Sequence, residues 1–350
     1  MLLALGLLLA ASTVVLSLAR RPMRFDETAM AASRLMIASV ESLAGHRRDL
    51  RIPVDPYTDP AGSGLIGADD SDLTTTIGEL RAKQTSMNPA FAGLIVMWLK
   101  EAGVVAGDRV ALSLTGSFPG LNIAALSACA AMSVEPVIIS SVGASSFGAN
   151  IPGFSWLDME RHLHERRLIP RLSQYASLGG IVDTEGGLDG EGYAIGESAI
   201  AMHGAEYLRE GGVPTVKVDM ERRWSLYTAG GKPKAYINVG GGVTALGWVE
   251  ESATIGNGLL RRVPNIADER RGLLLRMHEA GVPVIHLLNI KSLAAANDIP
   301  VGPAKLELSA ERTTEPLAHA AWLGGVLGGW LFVCALVLPR SQRGRSRGRE

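Results

Sequence analysis

Residues 109–140, RVALSLTGSFPGLNIAALSACAAMSVEPVIIS, decide the fold. Residues 109–114 form a short β-rich run. Residues 119–132 are apolar and Ala-rich, and Pro119 suits the first turn of a helix. Residues 137–140 are a second apolar strand. Strand, helix and strand with short links make a βαβ unit, which implies parallel pairing and a right-handed crossover. Both strands are apolar along almost their whole length, as expected of a sheet covered on both faces.

The same alternation extends outward. Upstream, Asn88-Pro89 opens a helix over 90–102, and Gly103 stops it. A further helix is expected over roughly 26–49. It is separated from the rest by a loop at 53–71, rich in Pro, Asp and Gly. Downstream, strands are expected at 180–182, 215–218, 235–239 and 282–288. The helix before the last of these is expected to be capped by Asn265, with Asp268 three residues on, and to end at Gly281 and Pro283. The fold class is therefore α/β, a mainly parallel sheet flanked by helices; strand order is not legible.

The chain has 350 residues, 47% of them hydrophobic and 20% charged, with two cysteines. This excludes a disordered chain, a disulfide scaffold and a multi-cysteine zinc site. The formal net charge of -1 gives no indication of nucleic acid. It is a cancellation. Apart from Arg20, Arg21, Arg24, the five arginines after residue 339 and Glu350, the chain holds 26 basic and 34 acidic residues.

The mean hydropathy of +0.18 is high for a domain of this size, and much of it sits at the ends. Residues 1–19 carry no charge, and 24 further residues between Glu315 and Arg340 carry none if His319 is neutral. Roughly 20 apolar residues span a bilayer as a helix. Two membrane spans are expected, an uncleaved anchor at 1–19 and a helix at 317–339. A helix-and-loop extension at 20–71, an α/β domain at 72–316 and an Arg-rich tail at 340–350 complete the organisation. Five tail arginines outweigh three ahead of a long domain, because long domains translocate largely regardless of charge. Both termini are thus expected in the cytoplasm and the domain outside it. Gly324, Gly325, Gly328 and Gly329 form two overlapping GxxxG patterns, suited to close helix packing in lipid. The partner would be the first span, a second copy or another membrane protein.

In open α/β sheets, ligands bind beyond the carboxyl ends of the strands. The first strand here runs into Thr115-Gly116-Ser117, the second into Ser140, Ser141 and a loop reaching Asn150. The strand at 235–239 runs into Gly240, Gly241 and Gly242. These residues are the ligand-binding candidates, suited to a carboxylate or phosphate. Neither a Walker A motif nor a GxGxxG fingerprint is present, so no nucleotide or other cofactor is expected. Ser117 sits at a strand-to-helix turn like a nucleophile, but Thr115 and Pro119 replace the glycines of G-x-S-x-G; an N-cap role competes. His286, in an apolar strand, is a candidate base against a core role. Asp183, with Glu185, Asp189 and Glu191, is a candidate acid or cation ligand against a solvated turn. His162 and His164, two apart on a basic helix, read as a solvated face, and no metal site is expected.

Several stretches carry a resemblance when taken in order. They are AGSGLIG (61–67), TGSFPGLNIAALSA (115–128), EPVIISSVGASSFGAN (135–150), SWLDME (155–160), NVGGG (238–242) and GVPVIHLLNIKSLA (281–294). Together they resemble the bacterial poly-gamma-glutamate system protein family, over about 25–303. The resemblance implies a membrane-anchored accessory role beside the proteins that make and export poly-gamma-glutamate, and it implies no catalytic residues. The competing expectation is an extracytoplasmic amide hydrolase or transferase acting on the polymer.

Overall fold

The computed structural model describes residues 25–180, 188–209, 216–247, 254–267 and 271–308. In chain order the elements are α1 (Glu27–Asp49), β1 (Thr74–Thr76), α2 (Leu80–Ser86), α3 (Ala90–Glu101), β2 (Arg109–Thr115), α4 (Pro119–Met132), β3 (Glu135–Ser141), β4 (Ala144–Ser145), β5 (Asn150–Ile151) and β6 (Phe154–Ser155). They continue with α5 (Trp156–Glu165), β7 (Tyr175–Ser177), α6 (Gly190–His203), β8 (Glu206–Tyr207), α7 (Val216–Thr228), β9 (Ala235–Val239), α8 (Val243–Leu246), β10 (Gly258–Leu259), α9 (Leu273–Glu279), β11 (Val284–Leu287) and α10 (Ile290–Ala296).

The central sheet has the order β10-β11-β9-β2-β3-β7-β8. Every pairing is parallel except that of the edge strand β10 with β11. β2 lies at its centre, with Leu112 opposite Ile138 on one side and Ile237 on the other. The βαβ unit is therefore present as read, and the chain is α/β. Small pairs β1–β4 and β5–β6 stand outside the main sheet.

Local chemistry sets the helix ends. Asp26 caps α1 by accepting the Ala29 N–H at 3.0 Å. Glu27 lies in the first turn and His46, Arg47 and Arg48 in the last, each complementing the helix dipole. The Asn88 side chain accepts the Ala90 N–H at 3.0 Å at the start of α3. Pro119 opens α4, and Ser133, at φ 53°, ends it in the left-handed region. A cluster on one face of the sheet joins Ala111, Ile139, Tyr236 and Val284 to Met220, Tyr227, Leu273 and Met277 of α7 and α9. The Tyr227 hydroxyl also donates to the Leu112 carbonyl at 2.7 Å. α4 packs against α1 and α3 and against β2, β3 and β9. Cys129, on α4, is fully buried, and burial pushes its thiol up to about 12.

Three expectations for the second half need correction. The strand expected at 180–182 is instead β7, at Tyr175–Ser177; Gly180 follows it and 181–182 lie outside the described residues. Residues 216–218 begin helix α7 rather than a strand. The β-branched residues there misled, and the buried i,i+4 pair Asp219–Arg223 (3.2 Å) belongs to helical spacing. Asn265 does not cap the helix before β11. α9 starts at Leu273 with Gly272 as its cap, where a Cβ would lie 2.2 Å from the Gly247 N. His162 also departs from a solvated face. It is buried, stacked on His46 at 4.1 Å, with Nε2 at 2.9 Å from the Ser42 hydroxyl.

Among the described residues, no helix is long and apolar enough to cross a membrane. The expected spans at 1–19 and 317–339, with Gly324, Gly325, Gly328 and Gly329, and the tail lie outside the described residues.

Candidate functional site

Parallel strands all deliver their carboxyl ends to one edge of the sheet, so loops from neighbouring strands meet there. At that edge lies a cavity of about 310 Å³. Its wall includes Thr115 and Ser117 after β2, Ser141 and Ser145 from β3 and β4, and Gly241 and Gly242 after β9. The loop before α2 and α2 itself close it with Gly78, Glu79 and Lys83. Arg223 and Lys291 add two more basic groups to the wall.

Five expected ligand-binding residues are thus brought together: Thr115, Ser117, Ser141, Gly241 and Gly242. The other three are not in the wall. Ser140 is fully buried and bonds to Ser173 (2.7 Å) and the Trp156 indole (3.2 Å). Asn150 ties the loop at residue 68 to β1, through both Ala68 backbone groups and the Thr74 hydroxyl at 2.8 Å. Gly240, at φ 87°, presses on Thr115, where a Cβ would sit 2.5 Å from Cγ2. It turns the chain so that Gly241 and Gly242 reach the cavity.

Lys83, which the sequence did not single out, is the centre of the site. Its side chain is buried, with a residue exposure of 1%. Nζ donates to the Ser117 carbonyl at 2.6 Å and lies 2.5 Å from the Ser145 hydroxyl oxygen. The same nitrogen stands 3.9 Å from the centre of the Phe118 ring. Burial pushes the Lys83 amine down to about 7, because a charge loses its hydration there. The Phe118 face holds the protonated form against that trend. Both protonation states are therefore accessible near neutral pH.

Ser117 organises this arrangement rather than capping α4, whose cap position is Phe118. Its hydroxyl accepts the Ser145 N–H at 3.0 Å and its carbonyl holds Lys83. Gly78 keeps the approach open, since a Cβ there would lie 3.1 Å from the Ser145 hydroxyl oxygen and 2.3 Å from the Ser146 carbonyl. At the rim, Lys291 pairs with Glu79 at 2.5 Å. Buried within the wall, Arg223 is held by Asp219 and by the Ser177 hydroxyl at 2.8 Å.

The remaining candidates fall elsewhere. His286 is fully buried and absent from the cavity wall. Its Nδ1 accepts from the Asn238 amide at 3.1 Å, and the same amide nitrogen donates to the Gly240 carbonyl at 2.9 Å. It therefore braces the glycine turn from beneath. Burial pushes His286 down to about 4, with a hydrogen bond to the Asn238 backbone opposing. Unfolding frees the imidazole to bind a proton near 6.5, its ordinary value, so the native state loses stability as pH falls from there towards 4. The shift corresponds to about 3 kcal/mol. Urea titrations at pH 7 and pH 4 are expected to show that much more acid destabilisation in the parent than in a His286→Leu variant; equal acid sensitivity would contradict this.

Asp183 and Glu185 lie outside the described residues. Asp189 caps α6, accepting the Gly192 N–H at 2.9 Å. His203 pairs with the buried carboxylate of Glu160 at 2.8 Å. Among the described residues, no group of three His, Cys, Asp or Glu side chains converges as metal ligands would. Compared with known proteins, the chain matches no family model, no curated protein and no solved structure.

Proposed function

We propose that the chain is a membrane-anchored accessory component of poly-gamma-glutamate synthesis and export, and that its α/β domain hydrolyses or transfers amide bonds of that polymer. The resemblance in the segments quoted above supports the polymer system. The uncharged stretches at the two ends support anchoring by two spans, with the domain outside the cytoplasm and contacts to partner membrane proteins or a second copy through Gly324, Gly325, Gly328 and Gly329. The observation that carries the chemical half is the cavity at the strand ends, where a buried amine meets the Ser145 hydroxyl and the Ser117 carbonyl.

The polymer is acidic, and so is the domain. With a Debye length of about 8–10 Å at ordinary salt, long-range repulsion is screened, and contact must be local. The cavity wall supplies such a place, with Lys83, Arg223 and Lys291 against Glu79. The test compares cells making the polymer with the parent chain or with a Ser117→Ala/Ser145→Ala chain. Polymer length or release is expected to change. Unchanged polymer, together with loss of complex assembly in Gly324→Leu/Gly328→Leu, would leave a scaffold role and remove the enzymatic one.

A further inference from the structure

We propose that Ser145 is the nucleophile and Lys83 the general base of a serine–lysine acyl-transfer centre, with Ser117 as the positioning residue. This rests on reading the strand-end cavity as the working site.

The choice between the two serines follows from their partners. A serine hydroxyl attacks a carbonyl only when a base within hydrogen-bond reach takes its proton. The Ser145 hydroxyl has such a group at 2.5 Å, the Lys83 amine. The Ser117 hydroxyl oxygen instead accepts the Ser145 N–H, and its own carbonyl fixes the lysine. Ser117 thus touches both partners and holds them in register. Neighbouring strand ends make this possible: Thr115 and Ser141 are opposite each other in the sheet, so the turn after β2 meets the chain leaving β3 at Ser145. Gly78 leaves space beside the hydroxyl for an incoming carbonyl.

The chemistry balances within this set. The neutral Lys83 amine takes the Ser145 hydroxyl proton as the oxygen bonds to the substrate carbonyl carbon, and the carbonyl electrons move to its oxygen. When they return, the carbon–nitrogen bond breaks and the ammonium gives its proton to the departing amine. An ester on Ser145 remains. Water, or an acceptor amine in the transfer case, then loses a proton to Lys83 while attacking that ester. Collapse expels the Ser145 oxygen, which recovers the proton from Lys83. The Phe118 ring, 3.9 Å from Nζ, stabilises the ammonium formed in each half. Glu160 and His203, also a buried acid–base pair, do not line the cavity.

The test treats the full-length protein with a fluorophosphonate probe, which phosphonylates an activated serine, and maps the adduct by mass spectrometry. One adduct is expected, on Ser145, formed about tenfold faster at pH 8 than at pH 6. Ser145→Ala should carry none, and Ser117→Ala should still be labelled on Ser145, at a reduced rate. A native protein that takes no probe, or an adduct on Ser117, overturns the assignment. The two readings fail separately. Ser145 labelling with unchanged polymer in Ser145→Ala cells removes the polymer role and keeps the centre. Polymer processing lost in Ser117→Ala but intact in Ser145→Ala does the reverse.

Discussion

Replacing Lys83 by methionine is expected to abolish turnover while leaving the melting temperature at pH 7 equal to that of the parent or above it. General base catalysis is worth about 10²–10⁴ in rate, so a loss in that range is expected against any ester or amide substrate the protein accepts. Stability moves the other way. The Lys83 amine titrates near 7 in the fold against an ordinary 10.5. Below pH 7 the folded state must carry a buried ammonium, at a disadvantage of about 5 kcal/mol from the shift. That disadvantage shrinks as pH rises from about 7 towards 10.5, because only the unfolded chain then holds the proton. Methionine fills a similar volume without charge. It forfeits the bond to the Ser117 carbonyl, about 1–3 kcal/mol for an acceptor left buried, so the balance is neutral to favourable. Rate should also rise about tenfold per pH unit below 7 and level off above it. A variant that loses activity only because it melts several degrees lower would contradict this account.

Replacing Arg47 by methionine is expected to do the opposite, removing several kcal/mol of stability. Arg47 is also buried, with an exposure of 4%, but a guanidinium does not shed its proton in a protein. Burial lowers its pKa and the nearby Asp59 raises it. Its charge is met by backbone: Nη1 donates to the carbonyls of Gly64 (2.9 Å) and Ile66 (2.7 Å), and Nη2 to that of Pro53 (2.5 Å). One side chain on α1 thus anchors the start and the middle of the segment that leads to β1. Truncation would leave three carbonyls and the Asp59 carboxylate without it, and removing one side of a buried charged network removes about 3–5 kcal/mol. At roughly 2–4 °C per kcal/mol for a domain of this size, the melting point should fall by about 10 °C. A scan of the two variants side by side checks both statements.

The contrast between these residues shows what the sequence could and could not carry. The βαβ unit was legible because the middles of Arg109–Thr115 and Glu135–Ser141 are buried on both faces and therefore largely apolar, and Pro119 fixes the start of the helix between them. From that unit the crevice rule reached Thr115, Ser117, Ser141 and the Gly241–Gly242 turn. It could not reach Lys83. A lysine in LRAKQTS looks like any solvated helix position, and only the packing of α2 over the strand ends buries it. Ser140 and Asn150 misled for a related reason, since a small polar residue at a strand end reads the same whether it faces a ligand or ties down a neighbouring segment. The strand expected at 215–218 gives way to a helix from Val216, because four residues are too few to separate a β-branched run from a helix start.

Cys129 has a practical consequence of its own. A thiol held near 12 inside the α4 layer exposes no thiolate to a reagent at neutral pH. It becomes reactive when the helix leaves the sheet. Its alkylation by iodoacetamide, counted on the peptide that contains it, is therefore a stopwatch for opening of the domain, readable in a cell lysate without purification.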